Sequence, residues 1–469
     1  MKATNPRTGK QDYEFAEDTP ASVAEAAARL RAMQAEWEAR GPDGRAEVLL
    51  RLADAMDARG QDVAAALEVD TGRRTIARIE VEGLGRILRK WAARGPELFA
   101  QLPADAAPSL TPGIEIAPRF SAFPLFGAIA PWNFPVLLSH VDAVPALMAG
   151  CAALVKPSEV TPRFVEPMRA ILADIPELPL AYVMGGPEVG EALVGAIDYV
   201  CFTGSTATGR KVAEAAARAL IPANLELGGK DPMIVTASAE PEWAARTALR
   251  SSVVATGQAC QSIERIYVAR EIAEPFMAAL VTEAERVRVT GQDADGHLGP
   301  FIFPAQAAKV QAQISDAAAK GARVLAGGQV EEHGGGQYLR PTVLADVTPD
   351  MAVMQEETFG PVLPVTVFDD IGEAIALANS GEYGLSAAVL AGSLEEAAGI
   401  GAQLDAGAIS LQDGSLTSMV GDATNHSRKG SGLGPSRMGD EGLLRFLRRQ
   451  ALMRQTGQCA TIDAYREGA

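Results

Sequence analysis

Short apolar runs alternate with helical segments from Leu125 onward, and few folds accommodate this pattern. The first five runs are LFGAIAPW, CAALVKPS, LAYVMGG, DYVCFTGS and PMIVTAS. Continuous apolar runs of this length are typical of strands buried on both faces, and helical connections between them require neighbouring strands to run parallel. The pattern therefore predicts an α/β fold built on a doubly wound parallel sheet.

A second series of strand-like runs follows, with helical stretches such as 304–320 between them: RIYVAR, RPTVLADV, GPVLPVTVFDD, GLSAAVLAGS and GAISLQ. This series predicts a second α/β lobe that meets the first near residues 228–260. Open α/β sheets bind ligands in the crevice outside the carboxyl ends of their strands. We therefore expect the ligand site between the two lobes.

The segments outside these two series have other patterns. Most of the first hundred residues are predicted to be helical, and a helix over 19–40 is expected to begin at the N-cap Thr19. Residues 106–120, APSLTPGIEIAPRFS, alternate like a strand without a helical partner, which predicts a small β arm at an oligomer interface. EEHGGGQ at 331–337 predicts only a flexible loop.

The charge of the chain disfavours two classes of partner. Its 469 residues include 59 acidic and 42 basic side chains, and the formal net charge is −17. This excess of negative charge favours solubility and opposes binding to nucleic-acid phosphates or anionic membranes. The apolar stretches also end before the roughly 20 residues that a membrane helix needs, and the polar N-terminus lacks the apolar segment of a signal peptide. We therefore expect no nucleic acid or membrane partner.

The cysteines and histidines indicate a reduced protein without a metal site. The cysteines form no CxxC pair, which makes a disulfide framework unexpected and predicts a cytoplasmic location: Cys151, Cys201, Cys260 and Cys459. The histidines lie far apart, without the spacing of a zinc motif: His140, His297, His333 and His426.

Two glycine-containing stretches approach phosphate-binding motifs without matching them. GGPEVG at 185–190 lacks the spacing of a GxGxxG fingerprint, and GSTATGRK at 204–211 has Arg210 where a Walker A loop has lysine. FTGSTATG still favours phosphate binding, because its pattern predicts a strand, a Gly-Ser turn and the start of a helix in succession. This arrangement places backbone N–H groups and the Ser205 hydroxyl where a diphosphate can bind.

Three residues are candidates for chemistry, each with a structural alternative. Cys151 and Cys201 lie inside apolar runs and are expected in the core, whereas Cys260 lies in the polar context TGQACQS, which leaves a nucleophile and a packing residue equally open. Glu226 is either a functional carboxylate or an ordinary ion-pair partner. Asn133 in PWNFP is either a functional amide or the cap of a helix that begins there.

Six motifs occur in one order along nearly the whole chain: PWNFP at 131–135, KPSE at 156–159, FTGS at 202–205, ELGGK at 226–230, GQAC at 257–260 and EETFGP at 356–361. This series resembles that of the aldehyde dehydrogenase superfamily, including the gap between Glu226 and Cys260. The resemblance implies a hydrolytic, non-phosphorylating NAD(P)-dependent enzyme. It also implies a cofactor-binding domain at 1–105 and 121–227, a catalytic domain at 228–427, and an oligomerisation arm and C-terminal segment at 106–120 and 443–469.

The resemblance implies three catalytic residues. Cys260 would attack the aldehyde carbon as a thiolate, and the Asn133 amide with the Cys260 N–H would hold the oxyanion. Hydride would pass to the cofactor and leave a thioester. Glu226 would then activate the water that hydrolyses this thioester to the carboxylic acid.

The resemblance also implies the cofactor contacts. Lys156 and Glu159 would hold the adenosine ribose, Ser205 the diphosphate, and Glu357 with Phe359 the nicotinamide ribose and ring. The remaining cofactor-binding positions are Trp132, Ser158, Gly204, Leu227 and Gly228. A carboxylate such as Glu159 accepts hydrogen bonds from ribose hydroxyls and repels a 2′-phosphate, so NAD is expected to be preferred, with NADP as a second cofactor.

Substrate and assembly follow from the same resemblance. The substrate pocket would be lined by Leu138, Val141, Ala259 and Gln261, together with the loop GSLTSMVGDATNHS, which has no aromatic residue and no arginine. These positions suggest a medium or bulky aldehyde. Family members assemble through a β arm, so a homodimer or homotetramer is expected.

Departures from the family pattern concern proton transfer and the oxyanion site. Asp142 stands where many members have a lysine, and Pro435-Ser436-Arg437 stands where they have an Arg-Glu pair. A proton relay is therefore expected to run differently here, or through water. Gln412 or Asp413 replaces an asparagine that supports the oxyanion site.

Alternatives to this function are a coenzyme-A-acylating member, a phosphorylating or semialdehyde-specific member, and a structural protein of crystallin type on the same fold. Acylating members usually lack the general base, and Glu226 is present here. No phosphate site beside the cysteine is evident. Retention of Cys260, Glu226 and Asn133 together argues against a purely structural role.

Overall fold

The computed structural model of the protein describes residues 1–291 and 295–468. Its amino-terminal part contains a hairpin and three helices: β1 (Lys2–Asn5), β2 (Lys10–Glu14), α1 (Pro20–Ala39), α2 (Gly41–Thr71) and α3 (Arg74–Gln101). Thr19 and Ser22 exchange side-chain to main-chain hydrogen bonds that cap α1, so the predicted N-cap is confirmed. The hairpin differs from the helical prediction for that stretch, because the turn closed by Gly9 brings two short extended segments together.

The arm and the first lobe follow α3. Their elements are β3 (Ala107–Pro108), β4 (Ile114–Ala122), β5 (Leu125–Ile129), α4 (Pro135–His140), α5 (Ala143–Ala149), β6 (Ala152–Lys156), α6 (Val165–Leu172), β7 (Leu180–Tyr182), α7 (Pro187–Ala196), β8 (Tyr199–Thr203), α8 (Thr206–Ala219) and β9 (Ala223–Glu226). In the first sheet the order is β7-β6-β5-β8-β9, and all of these strands run parallel. The chain moves from β5 to one side of the sheet and then crosses to the other side at β8.

Helices cover both faces of this first sheet. Leu154 of β6 packs in one cluster with Leu30 of α1, whereas its neighbour Val155 packs in another cluster with Leu49 of α2. Successive strand residues point to opposite faces, so both residues of a fully apolar run are buried. Burial of each such side chain contributes roughly 1.5–3 kcal/mol, which explains the continuous apolar runs of the sequence.

The second lobe begins at β10. Its elements are β10 (Asp231–Val235), α9 (Pro241–Val253), β11 (Ile263–Ala269), α10 (Arg270–Arg286), α11 (Pro304–Ala319), β12 (Arg323–Ala326), β13 (Val330–His333), β14 (Gly336–Leu339), β15 (Thr342–Ala345), α12 (Ala352–Gln355), β16 (Val362–Phe368), α13 (Ile371–Asn379), β17 (Tyr383–Gly384), β18 (Ser386–Leu390), α14 (Leu394–Gly401) and β19 (Ala408–Leu411). The second sheet has the order β12-β15-β16-β11-β10-β18-β19 and is parallel except at β12. Two doubly wound sheets confirm the predicted α/β fold class.

The C-terminal part returns to the first lobe and to the arm. Its elements are α15 (Leu416–Met419), β20 (Arg428–Lys429), β21 (Gly432–Leu433), α16 (Glu441–Leu444) and β22 (Leu447–Gln455). β21 joins the edge of the first sheet antiparallel to β9, and β22 pairs with β4 along its whole length. The predicted arm at 106–120 therefore forms a three-stranded sheet with the C-terminal strand.

Two sequence predictions are wrong in detail. Residues 331–337 belong to the hairpin β13–β14 instead of a flexible loop, since Gly334 and Gly335 have positive φ angles that suit its turn. The run PMIVTAS belongs to the second sheet as β10, although it follows the first series in sequence.

Candidate active site

The carboxyl ends of the first sheet carry several of the predicted site residues. Trp132 and Asn133 follow β5, Lys156 ends β6, and Glu226 ends β9. β5 and β8 are neighbours although β6 and β7 separate them in sequence, so the strand order reverses at this point. Parallel sheets bind ligands in the crevice at such a reversal, and the topology therefore places these residues around one crevice.

Cys260 follows a 3₁₀ turn (Val254–Gly257) whose main chain is strained. Ala255, Thr256 and Gly257 have φ angles of 56°, 63° and 64°. Such left-handed conformations cost about 1–3 kcal/mol for residues other than glycine, and they persist only where the surroundings fix them. A Cβ at Gly257 would lie 2.5 Å from the carbonyl oxygen of Gly360, which explains the glycine of GQAC.

Buried hydrogen bonds fix this Cys260 loop, defined here as residues 254–262. The Thr256 hydroxyl donates to the Gly299 carbonyl at 3.1 Å. Gln258 donates through Nε2 to the Pro300 carbonyl at 3.3 Å and accepts through Oε1 the Ile302 N–H at 3.0 Å. The loop is therefore anchored to the segment that precedes α11.

Asn133 contacts the Cys260 loop. Its Nδ2 donates to the Gln258 carbonyl at 3.0 Å, which uses one of the two N–H donors of the amide. Phe134 occupies the N-cap position of α4, since a residue before proline favours extended backbone and Pro135 starts the helix. The interpretation of Asn133 as a helix cap is therefore wrong.

Arg73, which no sequence pattern singled out, joins Asn133 to the same loop. Its buried guanidinium donates to the Asn133 carbonyl and, at 3.1 Å, to the Ala255 carbonyl. Burial lowers the pKa of Arg73 to about 10, and the Glu80 carboxylate opposes this effect. Glu80 in turn accepts the Val136 N–H at 3.0 Å, at the start of α4. An isolated arginine after a long helix carries no sequence signal for this role.

The carboxylate of Glu226 contacts two side chains from the C-terminal part. The Ser427 hydroxyl donates to its Oε2 at 2.8 Å. The Nε atom of Arg437 lies 3.9 Å from its Oε1. Both partners come from loop residues about two hundred positions away in sequence, and no motif indicated that they contact Glu226.

The two departures near Glu226, Asp142 and Arg437, form an ion pair. Arg437 Nη2 donates at 2.7 Å to Asp142 Oδ2 and at 2.7 Å to the Thr203 hydroxyl, and Arg445 donates to Asp142 Oδ1. Burial opposes the charged form of Asp142, but the two guanidinium groups outweigh burial and hold the pKa of Asp142 below its ordinary value. The Ser436 hydroxyl is engaged by main-chain groups of Asn425 and Met438.

The residues that replace the family asparagine bind elsewhere. Gln412 exchanges two hydrogen bonds with the main chain of Ala391, and Asp413 pairs with Arg250 at 2.6 Å. Asn133 instead receives its support from Arg73 and Gln258.

The motifs ELGGK and EETFGP meet beside Cys260. The Gly229 N–H donates to the Glu357 carboxylate at 3.2 Å, and a Cβ at Gly229 would lie 2.4 Å from the Cys260 carbonyl oxygen. The buried ion pair of Lys230 and Glu264, 2.8 Å long, supports this contact. Burial and the Glu264 carboxylate raise the pKa of Glu357 to about 7.

Aromatic side chains form one wall of the crevice. Phe359 has a φ of 55°, and its N–H donates to Glu264 at 2.7 Å, which fixes this unusual backbone. The rings of Trp132 and Phe359 meet edge to face with centroids 5.3 Å apart. Aromatic surface of this kind can pack against a heterocyclic ring.

The predicted adenosine end has the groups that a dinucleotide needs. Lys156 is buried and donates to Glu159 at 3.2 Å, while Glu159 is partly exposed. Ser205 caps α8 by accepting the Thr208 N–H at 3.3 Å, so the N-terminus of this 14-residue helix faces the end of β8. A cation, a carboxylate and a helix N-terminus at the switch point fit the ribose and diphosphate of NAD(P).

The other cofactor positions contribute main-chain structure. The Ser158 hydroxyl accepts the Val160 N–H. The Gly204 N–H donates to the Glu226 carbonyl at 3.1 Å, and the Leu227 N–H donates to the Ser431 carbonyl at 2.8 Å. A Cβ at Gly228 would contact the Glu357 carboxylate at 3.0 Å.

The four predicted pocket residues come from two elements. Leu138 lies on α4 and Val141 directly follows it, whereas Ala259 and Gln261 flank Cys260. All four side chains are partly exposed. The hydrogen bond between Asn133 and Gln258 joins these two elements.

The surroundings of the Cys260 thiol favour its protonated form. Burial raises its pKa to about 12, the carboxylates of Asp231, Glu357 and Glu226 act in the same direction, and Arg437 opposes them. Attack on a carbonyl needs the thiolate. A productive complex must therefore remove the proton or lower the pKa of Cys260.

The other cysteines match their predicted settings. Cys151 and Cys201 are buried, burial raises the pKa of both thiols, and Cys459 is exposed. In residues 1–291 and 295–468, no three metal-binding side chains gather in a way that could hold an ion. No helix in these ranges combines the length and apolarity needed to cross a bilayer.

Comparisons with known proteins agree with this geometry. A model described as "Aldehyde dehydrogenase family" matches residues 1–452. A Mycolicibacterium smegmatis protein named "Putative succinate-semialdehyde dehydrogenase", with NADP(+) in its name, is 37% identical over 452 residues, which cover 95% of this chain and 87% of the relative. The structure of "Putative Aldehyde Dehydrogenase PutA" from Anabaena variabilis has 45% identity, a TM-score of 0.95 and 98% coverage of both chains. Lactaldehyde dehydrogenase from Escherichia coli has 30% identity and a TM-score of 0.91, with 97% of this chain and 95% of that chain covered. The chain therefore belongs to the aldehyde dehydrogenase family of NAD(P)-dependent oxidoreductases.

Proposed function

We propose that this enzyme oxidises an aldehyde to the carboxylic acid through a covalent intermediate on Cys260. The observation that carries this proposal is the meeting of three sequence-distant groups. Gly229 packs against the Cys260 carbonyl, Asn133 binds the Cys260 loop through Gln258, and Glu226 ends the strand before Gly229.

In the first half-reaction the Cys260 thiolate attacks the aldehyde carbon. A C–S bond forms, and the carbonyl π electrons move to oxygen. The free N–H of the Asn133 amide and the Cys260 N–H hold this oxyanion, and loss of one such donor costs roughly a hundred- to a thousandfold in rate. Held by Lys156, Glu159 and Ser205, NAD(P) would supply the acceptor for the hydride of that carbon, and loss of this hydride would leave a thioester on Cys260.

In the second half-reaction Glu226 acts as general base. Its carboxylate takes a proton from water, the water oxygen attacks the thioester carbon, and the C–S bond breaks. The products are the carboxylic acid and the regenerated Cys260 thiolate. The Ser427 hydroxyl donates to one oxygen of Glu226 and so restricts the orientation of this carboxylate.

NAD is proposed as the preferred cofactor, with NADP as a second one. The support is the Lys156–Glu159 pair at the end of β6, where Glu159 neutralises the cation that would otherwise attract a 2′-phosphate. The name of the Mycolicibacterium smegmatis relative specifies NADP(+), so both cofactors belong in any assay.

A medium or bulky aldehyde is the proposed substrate class. The support is the partly exposed, mixed set Leu138, Val141, Ala259 and Gln261, together with a loop at 414–427 that has no arginine or lysine. A semialdehyde is the second candidate, because the same relative is named for succinate semialdehyde. Relative kcat/KM values for benzaldehyde, hexanal and succinate semialdehyde distinguish the two classes.

The arm supports a proposed homodimer or homotetramer. β22 and β3 form the two edges of the three-stranded sheet, and the residues of β22 after Leu447 are exposed. Unpaired strand edges of this kind readily pair with another chain. We also propose the division of the chain into cofactor-binding, catalytic and arm domains.

The test of the covalent mechanism is NADH formation by cysteine variants. We expect Cys260→Ala to abolish it and Cys459→Ser, which changes an exposed tail thiol, to retain the wild-type rate. Substantial turnover by Cys260→Ala would exclude Cys260 as the nucleophile.

A further inference from the structure

The position of Arg437 beside the proposed base has a consequence for deacylation. We propose that Arg437 is a positioning residue. Together with Ser427 it orients the Glu226 carboxylate so that this carboxylate can take a proton from the attacking water. This inference rests on the proposed function, because it concerns the step in which Glu226 acts as general base.

The first observation is that Arg437 is fixed from behind. Its Nη2 donates to Asp142 and to Thr203, and Asp142 is held in turn by Arg445. The guanidinium is a rigid planar group, so fixing Nη2 also fixes the direction of Nε. The cluster contains two basic side chains, Arg437 and Arg445, and two acidic ones, Asp142 and Glu226.

The second observation concerns the Nε–H donor of Arg437. It is buried, and among the described residues it has no hydrogen-bond partner. Its nearest carboxylate oxygen is Oε1 of Glu226 at 3.9 Å, which is longer than a direct hydrogen bond. A buried donor without a partner is unfavourable, so a small side-chain rotation of Glu226 or a bridging water is favoured at this point.

The third observation concerns the two oxygens of Glu226. Ser427 engages Oε2, which leaves Oε1 beside Arg437. The Glu226 carboxylate therefore lies between the Ser427 hydroxyl and the Arg437 guanidinium.

The test uses p-nitrophenyl acetate, an activated ester that acylates a reactive thiol without cofactor. The burst of nitrophenolate reports acylation of Cys260, and the steady rate reports hydrolysis of the acyl-enzyme. Arg437→Lys keeps a cation near Asp142 but removes the fixed Nε. We expect an unchanged burst and a steady rate lowered about ten- to a hundredfold, the size typical of a displaced catalytic group.

Two further variants keep the test decisive. Ser427→Ala removes the other contact at a partly exposed position and should show the same split, even if Arg437→Lys fails to fold. Arg45→Lys is the matched control, because Arg45 is also a buried arginine but donates to the main-chain carbonyls of Glu38 and Met148 and has no contact with Asp142 or Glu226. We expect both of its rates to remain unchanged.

A double-mutant cycle separates this inference from the proposed function. If Glu226→Gln hydrolyses its acyl-enzyme at the wild-type rate, the role of Glu226 as base and the inference both fail. If Glu226→Gln is slow, Arg437→Lys should cause no further loss in that background, since it acts through Glu226. A further loss there, an equal slowing of burst and steady rate in Arg437→Lys, or an equal slowing by Arg45→Lys would overturn the role of Arg437 alone.

Discussion

Replacement of Arg73 by methionine should loosen the Cys260 loop. Arg73 donates to the carbonyls of Asn133 and Ala255. In Arg73→Met the Ala255 carbonyl keeps the Gln258 N–H at 3.2 Å, whereas the Asn133 carbonyl loses its partner. An unsatisfied buried polar group costs about 1–3 kcal/mol, so we expect a loss of about 1–3 kcal/mol in stability. The strained residues Ala255 and Thr256 depend on their surroundings, and this loss should therefore fall on the loop first.

Hydrogen exchange followed by mass spectrometry measures the effect directly. In Arg73→Met the peptide that covers 254–262 should exchange faster than in the wild type, while peptides from β6 and β8 should not change. The kcat/KM for aldehyde should fall by about a hundredfold, as expected when catalytic groups move by about 1 Å.

Arg45→Met is the matched control for this prediction. Arg45 is also buried and donates at 2.9 Å to each of two main-chain carbonyls, those of Glu38 and Met148, away from the Cys260 loop. We expect a comparable loss of stability with wild-type kcat/KM in the folded enzyme. Unchanged exchange at 254–262 in Arg73→Met, or an equal loss of kcat/KM in Arg45→Met, would refute the reasoning.

Three other predictions follow from the site and the arm. The pKa of Cys260 is raised to about 12, so its thiolate fraction should rise about tenfold per pH unit from pH 7 to 10. The rate of alkylation by iodoacetamide should rise in parallel, and a plateau of this rate near pH 8.5 would contradict the raised pKa. Glu159→Ser should narrow the preference for NAD by improving kcat/KM with NADP, and an unchanged ratio would exclude Glu159 from the ribose site. Deletion of residues 447–469 should convert the oligomer to monomers in sedimentation velocity, and a wild-type protein that is itself monomeric would disprove the proposed assembly.

The strands of the two sheets were largely predictable from sequence because their burial on both faces leaves continuous apolar runs. β12 lies outside the predicted series, since RVLA is short and half exposed. The assignment of PMIV to the first series was wrong, because an apolar run reports burial and carries no information on which sheet it joins. The hairpin at 330–339 was missed because its strands are short and only partly buried on one side.

The candidate site was predictable only where a motif marks it. Cys260, Glu226 and Asn133 lie in motifs of fixed order, so their positions could be inferred. Arg437 and Asp142 are 295 positions apart, and only the folded chain shows that these two departures form an ion pair. Side chains that act by holding other side chains leave no local pattern in a single sequence.

The most direct test of the covalent mechanism is mass spectrometry of Glu226→Gln mixed with an aldehyde and NAD. We expect one equivalent of NADH and a protein whose mass has increased by one acyl group, with the adduct located on Cys260 by peptide mapping. Continued turnover without any adduct, or an adduct on another residue, would contradict the mechanism.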